Sequence, residues 1–151
     1  MVLIAWSAVS VADQGDLSGI WQTESPVPYI VEHTAAHPQG EPVPHESLKI
    51  LERSASLEWT LVQRGDGLIT GTNRWIAYDE TGRQVFEGTE PLLGVYDGQR
   101  AVLIEAPDEE AQTAQINFEV TFDGPDRLSG IGYSVGAPKL LVMRFVLKRK
   151  Q

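Results

Sequence analysis

From residue 57 onward the chain alternates strand-like runs with connections too short to hold a helix. The runs lie near 57–64, 68–78, 85–96, 100–106, 113–122, 127–135 and 139–149, and an earlier one lies near 17–25. Between the later runs stand RGDG (64–67), DETGRQ (79–84), DGQ (97–99), PDEEAQ (107–112), DGPD (123–126) and GAP (136–138). Asp-Gly and Gly-X pairs supply the positive φ that tight hairpins demand. Connections this short make consecutive strands antiparallel neighbours, because a parallel crossover needs about a dozen residues or more. A parallel α/β sheet is therefore excluded, and no window carries a helical stripe of three turns.

Alternation supports the strand assignments. Ile116, Phe118, Val120 and Phe122 alternate with Asn117, Glu119 and Thr121, and Leu57, Trp59 and Leu61 alternate with Glu58, Thr60 and Val62. Eight strands joined by hairpins predict an all-β fold, an eight-stranded antiparallel up-and-down β-barrel. An open sandwich of the same strands is the alternative, but its Greek-key crossings need longer connections. The last run, KLLVMRFVL (139–147), is apolar on both faces except at Arg144. Such a strand calls for cover on both sides, which predicts a homo-oligomer, most simply a dimer.

The segment 26–47, PVPYIVEHTAAHPQGEPVPHES, breaks this pattern with five prolines. Proline lacks the N–H that a central strand or helix interior needs, so the segment reads as a long loop, a flap at the barrel mouth. LKILERS (48–54) could extend this segment as a further strand. All three histidines, His33, His37 and His45, fall in the flap. A proline-rich loop does not hold three or four ligands in rigid geometry, so metal binding is a minor reading and no metal site is assigned.

The chain has 151 residues, enough for one domain with a real core. Residues 1–12, MVLIAWSAVSVA, carry no charge and end in small residues before DQGD. They resemble an export signal without its basic flank, so 13–151 forms the barrel domain and the expected location is periplasmic or secreted. An apolar run this short predicts no membrane insertion. The net charge of -9 argues against nucleic acid, and the absence of cysteine excludes disulfides and thiol chemistry. The acidic turn DEE (108–110) lacks the ligand spacing of a calcium loop, and no G-X-S-X-G turn supports a serine nucleophile. Glu87, Glu90, Glu105 and Glu119 lie on strands, but the pattern leaves their facing open. No catalytic residue and no cofactor is assigned.

Three motifs carry a resemblance. LSGIWQTE (17–24) resembles the Gly-X-Trp opening strand of the calycins, the group of lipocalins and avidins. LITGTNRW (68–75) and LLGVYDG (92–98) resemble the third and fourth strands of avidins. The chain is also similar to bacterial barrel proteins that carry a G-X-W, a TGT and an EPL-X-GV strand, for which no activity is implied. The avidin likeness implies ligand contacts at Thr23, Ser25, Asn73, Trp75, Phe118 and Tyr133. Phe145 stands where avidins carry the aspartate that bonds biotin, and no Trp follows residue 75, so biotin is not the expected ligand. Against lipocalins, Arg144 or Arg149 could play the arginine that packs on the opening-strand Trp. From the residues themselves, Trp59, Trp75 and Tyr133 could line a small apolar pocket or plug the barrel. The expectation is an exported barrel that binds a small, partly apolar molecule. The alternatives are a small barrel enzyme of the isomerase or cyclase type, and a structural barrel with a filled core.

Overall fold

The computed structural model describes residues 15–34, 48–106, 115–134 and 139–151, and none of these is helical. The strands are β1 (Gly19–Gln22), β2 (Val27–Thr34), β3 (Leu48–Gln63), β4 (Leu68–Tyr78), β5 (Gln84–Tyr96), β6 (Arg100–Glu105), β7 (Ile116–Phe122), β8 (Arg127–Ser134) and β9 (Lys139–Arg149). From β3 to β9 each strand pairs antiparallel with the next. β1 and β2 both lie between β3 and β9 and pair with each of them. The two segments share one position, so the sheet closes into an eight-stranded antiparallel barrel.

The break between β1 and β2 has a local cause. At Thr23 the side chain joins the pairing: its N–H donates to the Leu57 carbonyl at 3.0 Å, and its hydroxyl accepts from the Leu57 N–H at 3.1 Å. Glu24, Ser25 and Pro26 then leave the sheet as an exposed bend.

β2 corrects the reading of 26–47 as a loop throughout. Val27–Thr34 is a strand paired on both sides despite Pro28. The proline is tolerated because pairing with β9 begins only at Tyr29, so Pro28 sits where the strand is still an edge on that side. Tyr29 and Val31 turn into the core and Ile30 faces out. Residues 35–47, the rest of the expected flap, lie outside the described residues, as do 1–14. LKILERS is the first part of β3, continuous with the predicted run from 57.

The end of the barrel near the N-terminus is sealed. Trp21 is fully buried, and its indole N–H donates to the Leu17 carbonyl at 2.8 Å. The Arg149 guanidinium lies 4.2 Å from the Trp21 ring centre, a cation–π contact. It also donates to the carbonyls of Pro125 (2.8 Å), Ser18 (2.5 Å) and Asp16 (2.7 Å). Gly19 explains the Gly of Gly-X-Trp: its φ is +130°, and a Cβ there would lie 2.8 Å from the guanidinium. Of the two arginines considered, Arg149 makes the contact and Arg144 is exposed. Replacing Arg149 by Met keeps the apolar stem and removes the donors and the charge. The expected loss is about 2–3 kcal/mol, a fall of about 5–10 °C in Tm by differential scanning calorimetry. A change under about 1 °C would show that the clasp contributes nothing net.

Above this end the interior is filled by aromatic rings. Trp59 meets Phe118 at 4.9 Å and Phe145 at 5.3 Å, and Phe118 meets Phe145 at 5.8 Å, all edge-on. Gly132 makes room for them: a Cβ would lie 2.9 Å from the Phe118 ring and 3.0 Å from Met143. Toward the opposite end the residues packed against the core are only partly buried, among them Leu51, Trp75, Ile116 and Leu141. Arg53 lies over the exposed Phe86 ring at 5.3 Å.

Candidate functional site

The polar residues of the interior gather toward this more open end. Register places Trp21, Trp59, Asn73 and Glu90 in one cross-strand row over β1, β3, β4 and β5. Glu105 on β6 sits opposite Leu92. Asn73, Glu90 and Glu105 are 1%, 3% and 2% exposed, in an interior that is apolar apart from these and Ser134. Charged side chains are almost never buried this fully without partners.

The partners come from neighbouring strands. The Asn73 amide nitrogen donates to Glu105 Oε2 at 3.0 Å. The Trp75 indole N–H donates to Glu90 Oε2. The Glu105 carboxyl is itself hydrogen-bonded to Glu90. Burial pushes the Glu105 carboxyl up to about 8; the hydrogen bond from Asn73 opposes this, and the adjacent Glu90 adds to it. Glu105 therefore carries a proton at neutral pH, and the pair presents an acid beside a second carboxyl.

Two buried polar atoms of the row make no hydrogen bond: Asn73 Oδ1 and Trp59 Nε1. They belong to directly opposed residues of β4 and β3. An acceptor and a donor on directly opposed residues are thus left without a partner near the carboxyl pair.

Gly88 shapes the site. A Cβ at Gly88 would lie 2.8 Å from the Trp75 ring and 2.9 Å from Glu90 Oε1, so the indole reaches Glu90 only because this residue has no side chain. Gly88→Ala is expected to displace the indole and to cost about 1–3 kcal/mol in urea unfolding, with a changed near-UV circular dichroism band from Trp75. An unchanged band with unchanged stability would count against this packing.

The residues expected from sequence divide. Asn73 and Trp75 stand in the cluster. Trp59 and Phe118 are fully buried in the aromatic layer, with only the Trp59 N–H left unsatisfied. Thr23 is engaged with β3 at the bend, and Ser25 is exposed there, because the break after β1 ends the inward alternation from Trp21. Tyr133 lies on the outer face of β8 and donates to Glu119 at 3.0 Å. Its neighbours Gly132 and Ser134 are the buried ones, so the expected position is off by one residue. Glu90 and Glu105 face inward while Glu87 and Glu119 are exposed, which decides the facing the pattern left open. Among the described residues no group of three or more acidic or histidine side chains could hold a metal, and no helix is long and apolar enough to cross a membrane. His37 and His45 lie outside the described residues.

A groove of about 780 Å³ also crosses the outer face of β5–β9, lined by Val102, Glu119, Ile131 and Arg144 among others. It is separated by the sheet from the carboxyl pair.

The chain matches no family model and no curated protein. It is similar in fold to a solved structure described as EF1p2_mFAP2b bound to DFHBI, with a TM-score of 0.50 and 12% identity over 89% of this chain and 94% of that one. The likeness is one of fold, a barrel matching a barrel.

Proposed function

We propose that this protein is an exported, calycin-like barrel that binds one small, partly apolar molecule at its more open end. The observation that carries the reading is the buried Asn73–Glu105–Glu90 cluster with its orphaned amide oxygen. A barrel that needed only a filled core gains nothing from two interior carboxyls, since apolar residues of similar volume would be as stable or more so. A few convergent polar groups under partly buried apolar walls are the usual composition of a small-molecule site. The similarly folded protein is described as bound to DFHBI, in keeping with a ligand-holding use of the architecture. Of the sequence-derived contacts, Asn73 and Trp75 belong to this proposed site. Native mass spectrometry of the purified protein, followed by titration with the neutral dye Nile red, tests the reading. A retained mass or a saturable rise in dye emission is expected. A bare chain that leaves the dye dark would favour the filled-core barrel.

One observation favours a second reading, a small barrel enzyme of the isomerase or cyclase type. A protonated carboxyl beside a second carboxyl can give a proton at one position of a substrate and take one at another.

We also propose that the protein is a homodimer. Leu140 and Val142 are half-exposed on the outer face of β9, and burying them against a second copy would remove that apolar surface from water. Sedimentation equilibrium at micromolar concentration is expected to show the dimer mass, and a monomer throughout would end this proposal.

A further inference from the structure

We propose that the polar group this barrel takes is a protonated amine on an apolar body, and that it enters the Glu90–Glu105–Asn73 cluster by displacing the proton the two carboxyls hold. The inference rests on the ligand-binding reading above and names its chemical class.

Both donors aimed at the carboxyls are already committed, the Asn73 amide nitrogen to Glu105 and the Trp75 indole to Glu90. Asn73 Oδ1 is an acceptor with no partner, 1% exposed, on the same amide that touches Glu105. Across the ladder from it the Trp59 indole N–H is a donor with no partner. Even with that N–H counted, the carboxyl and amide oxygens of the cluster outnumber the donors that reach them. An ammonium carries three donors and no acceptor, so it complements such a site. An alcohol offers one donor and an acceptor, enough for Asn73 Oδ1 and the Trp59 N–H, but it brings no charge to the carboxyl pair. A carboxylate or phosphate offers no donor and would add like charge.

Charge points the same way. Two carboxyls in a dry interior hold a proton between them because both cannot ionise there. A cation of the right shape does what that proton does, with more hydrogen bonds. The charged and titratable groups around Glu105 are few. β5 contributes Glu90 and β4 contributes the neutral Asn73 and Trp75; on β7 the register puts the apolar Ile116 one step beyond the Ile104–Asn117 pair. Arg53 on β3 is stacked on Phe86 toward the mouth, and its pairing residue on β2 is Tyr29. The partly buried Trp75, Ile116 and Leu141 supply apolar wall for the body of the ligand.

The test uses two probes of equal length, n-octylamine and n-octanol, titrated against the full chain by tryptophan fluorescence and calorimetry between pH 6 and 9. The amine stays protonated across this range. Octylamine is expected to bind at least about tenfold more tightly than octanol at pH 8. Its affinity is expected to rise about tenfold per pH unit and to level off near pH 8, because each amine bound releases one proton. Octanol affinity should be flat with pH. Glu105→Gln is close in shape and cannot ionise, so it should abolish both the preference for the amine and the pH slope. Glu90→Gln serves as the second variant should the first fold poorly, with the same expected loss. Octanol binding as tightly as octylamine, or amine affinity flat with pH, would overturn the inference and leave the ligand-binding reading standing. Binding of neither probe, together with no retained mass and no dye response, would remove the ligand-binding reading itself.

Discussion

Raising the pH from 5 to 9 is expected to lower the melting temperature of this protein by about 5–10 °C, and Glu105→Gln is expected to abolish most of that fall. The cause is the carboxyl buried beside Glu90, pushed from an ordinary 4.5 up to about 8. Below the ordinary value both folded and unfolded chains hold the proton, and stability does not depend on this group. Between the two values the folded chain keeps a proton that the unfolded chain has lost. Stability therefore falls as pH rises through this window, and the full penalty is present above about 8. Each unit of difference corresponds to about 1.4 kcal/mol, so the total is several kcal/mol, shared with Glu90 through their contact. The exposed carboxylates act elsewhere on the scale. Asp79, held by Thr81 and Arg83, lies at about 2, so its contribution is present above its ordinary 3.8 and is lost only as pH falls through the acid range. Differential scanning calorimetry of wild type and Glu105→Gln at several pH values measures the effect. Parallel curves for the two proteins would show that Glu105 is ionised in the folded state, and the account of the cluster would fail.

Truncating Phe118 to Ala should cost about 3–5 kcal/mol, seen as a lower urea midpoint at unchanged slope. Phe118 is 0% exposed and lies edge-on to both Trp59 and Phe145. Removing its ring opens a cavity beneath the carboxyl cluster, and the closed β-sheet around it has little freedom to collapse. Tyr133→Phe is the contrast, since it removes only an exposed hydroxyl bonded to Glu119 and should change stability by under about 0.5 kcal/mol. The comparison separates two roles for the aromatic layer. A plug gives the large loss, whereas rings lining an open chamber would lose less than about 1 kcal/mol. The second outcome would move the proposed ligand deeper, against Trp59 and Phe118.

The sequence by itself determined the strands and their order from 57 onward. Period-two alternation fixes which residues share a face, and connections of a few residues leave antiparallel neighbours as the only geometry. Both signals are local, so they survive without knowledge of the rest of the chain. The Gly-X-Trp motif was legible for the same reason, although only the folded chain brought Arg149, far away in sequence, onto the ring of Trp21. The tertiary structure alone decided three things. It made Val27–Thr34 a strand, because β3 and β9 offer pairing partners that outweigh the prolines. It set the facing of Glu90 and Glu105. Along β5 and β6 the outer positions Leu93, Val95, Val102 and Ile104 are as apolar as the inner ones, so alternation carries no contrast there. It also joined Asn73, Trp75, Glu90 and Glu105 into one hydrogen-bonded cluster. These residues come from three strands, and their contacts run diagonally across the ladder. Such contacts follow from register and closure of the barrel, which depend on all the strands at once.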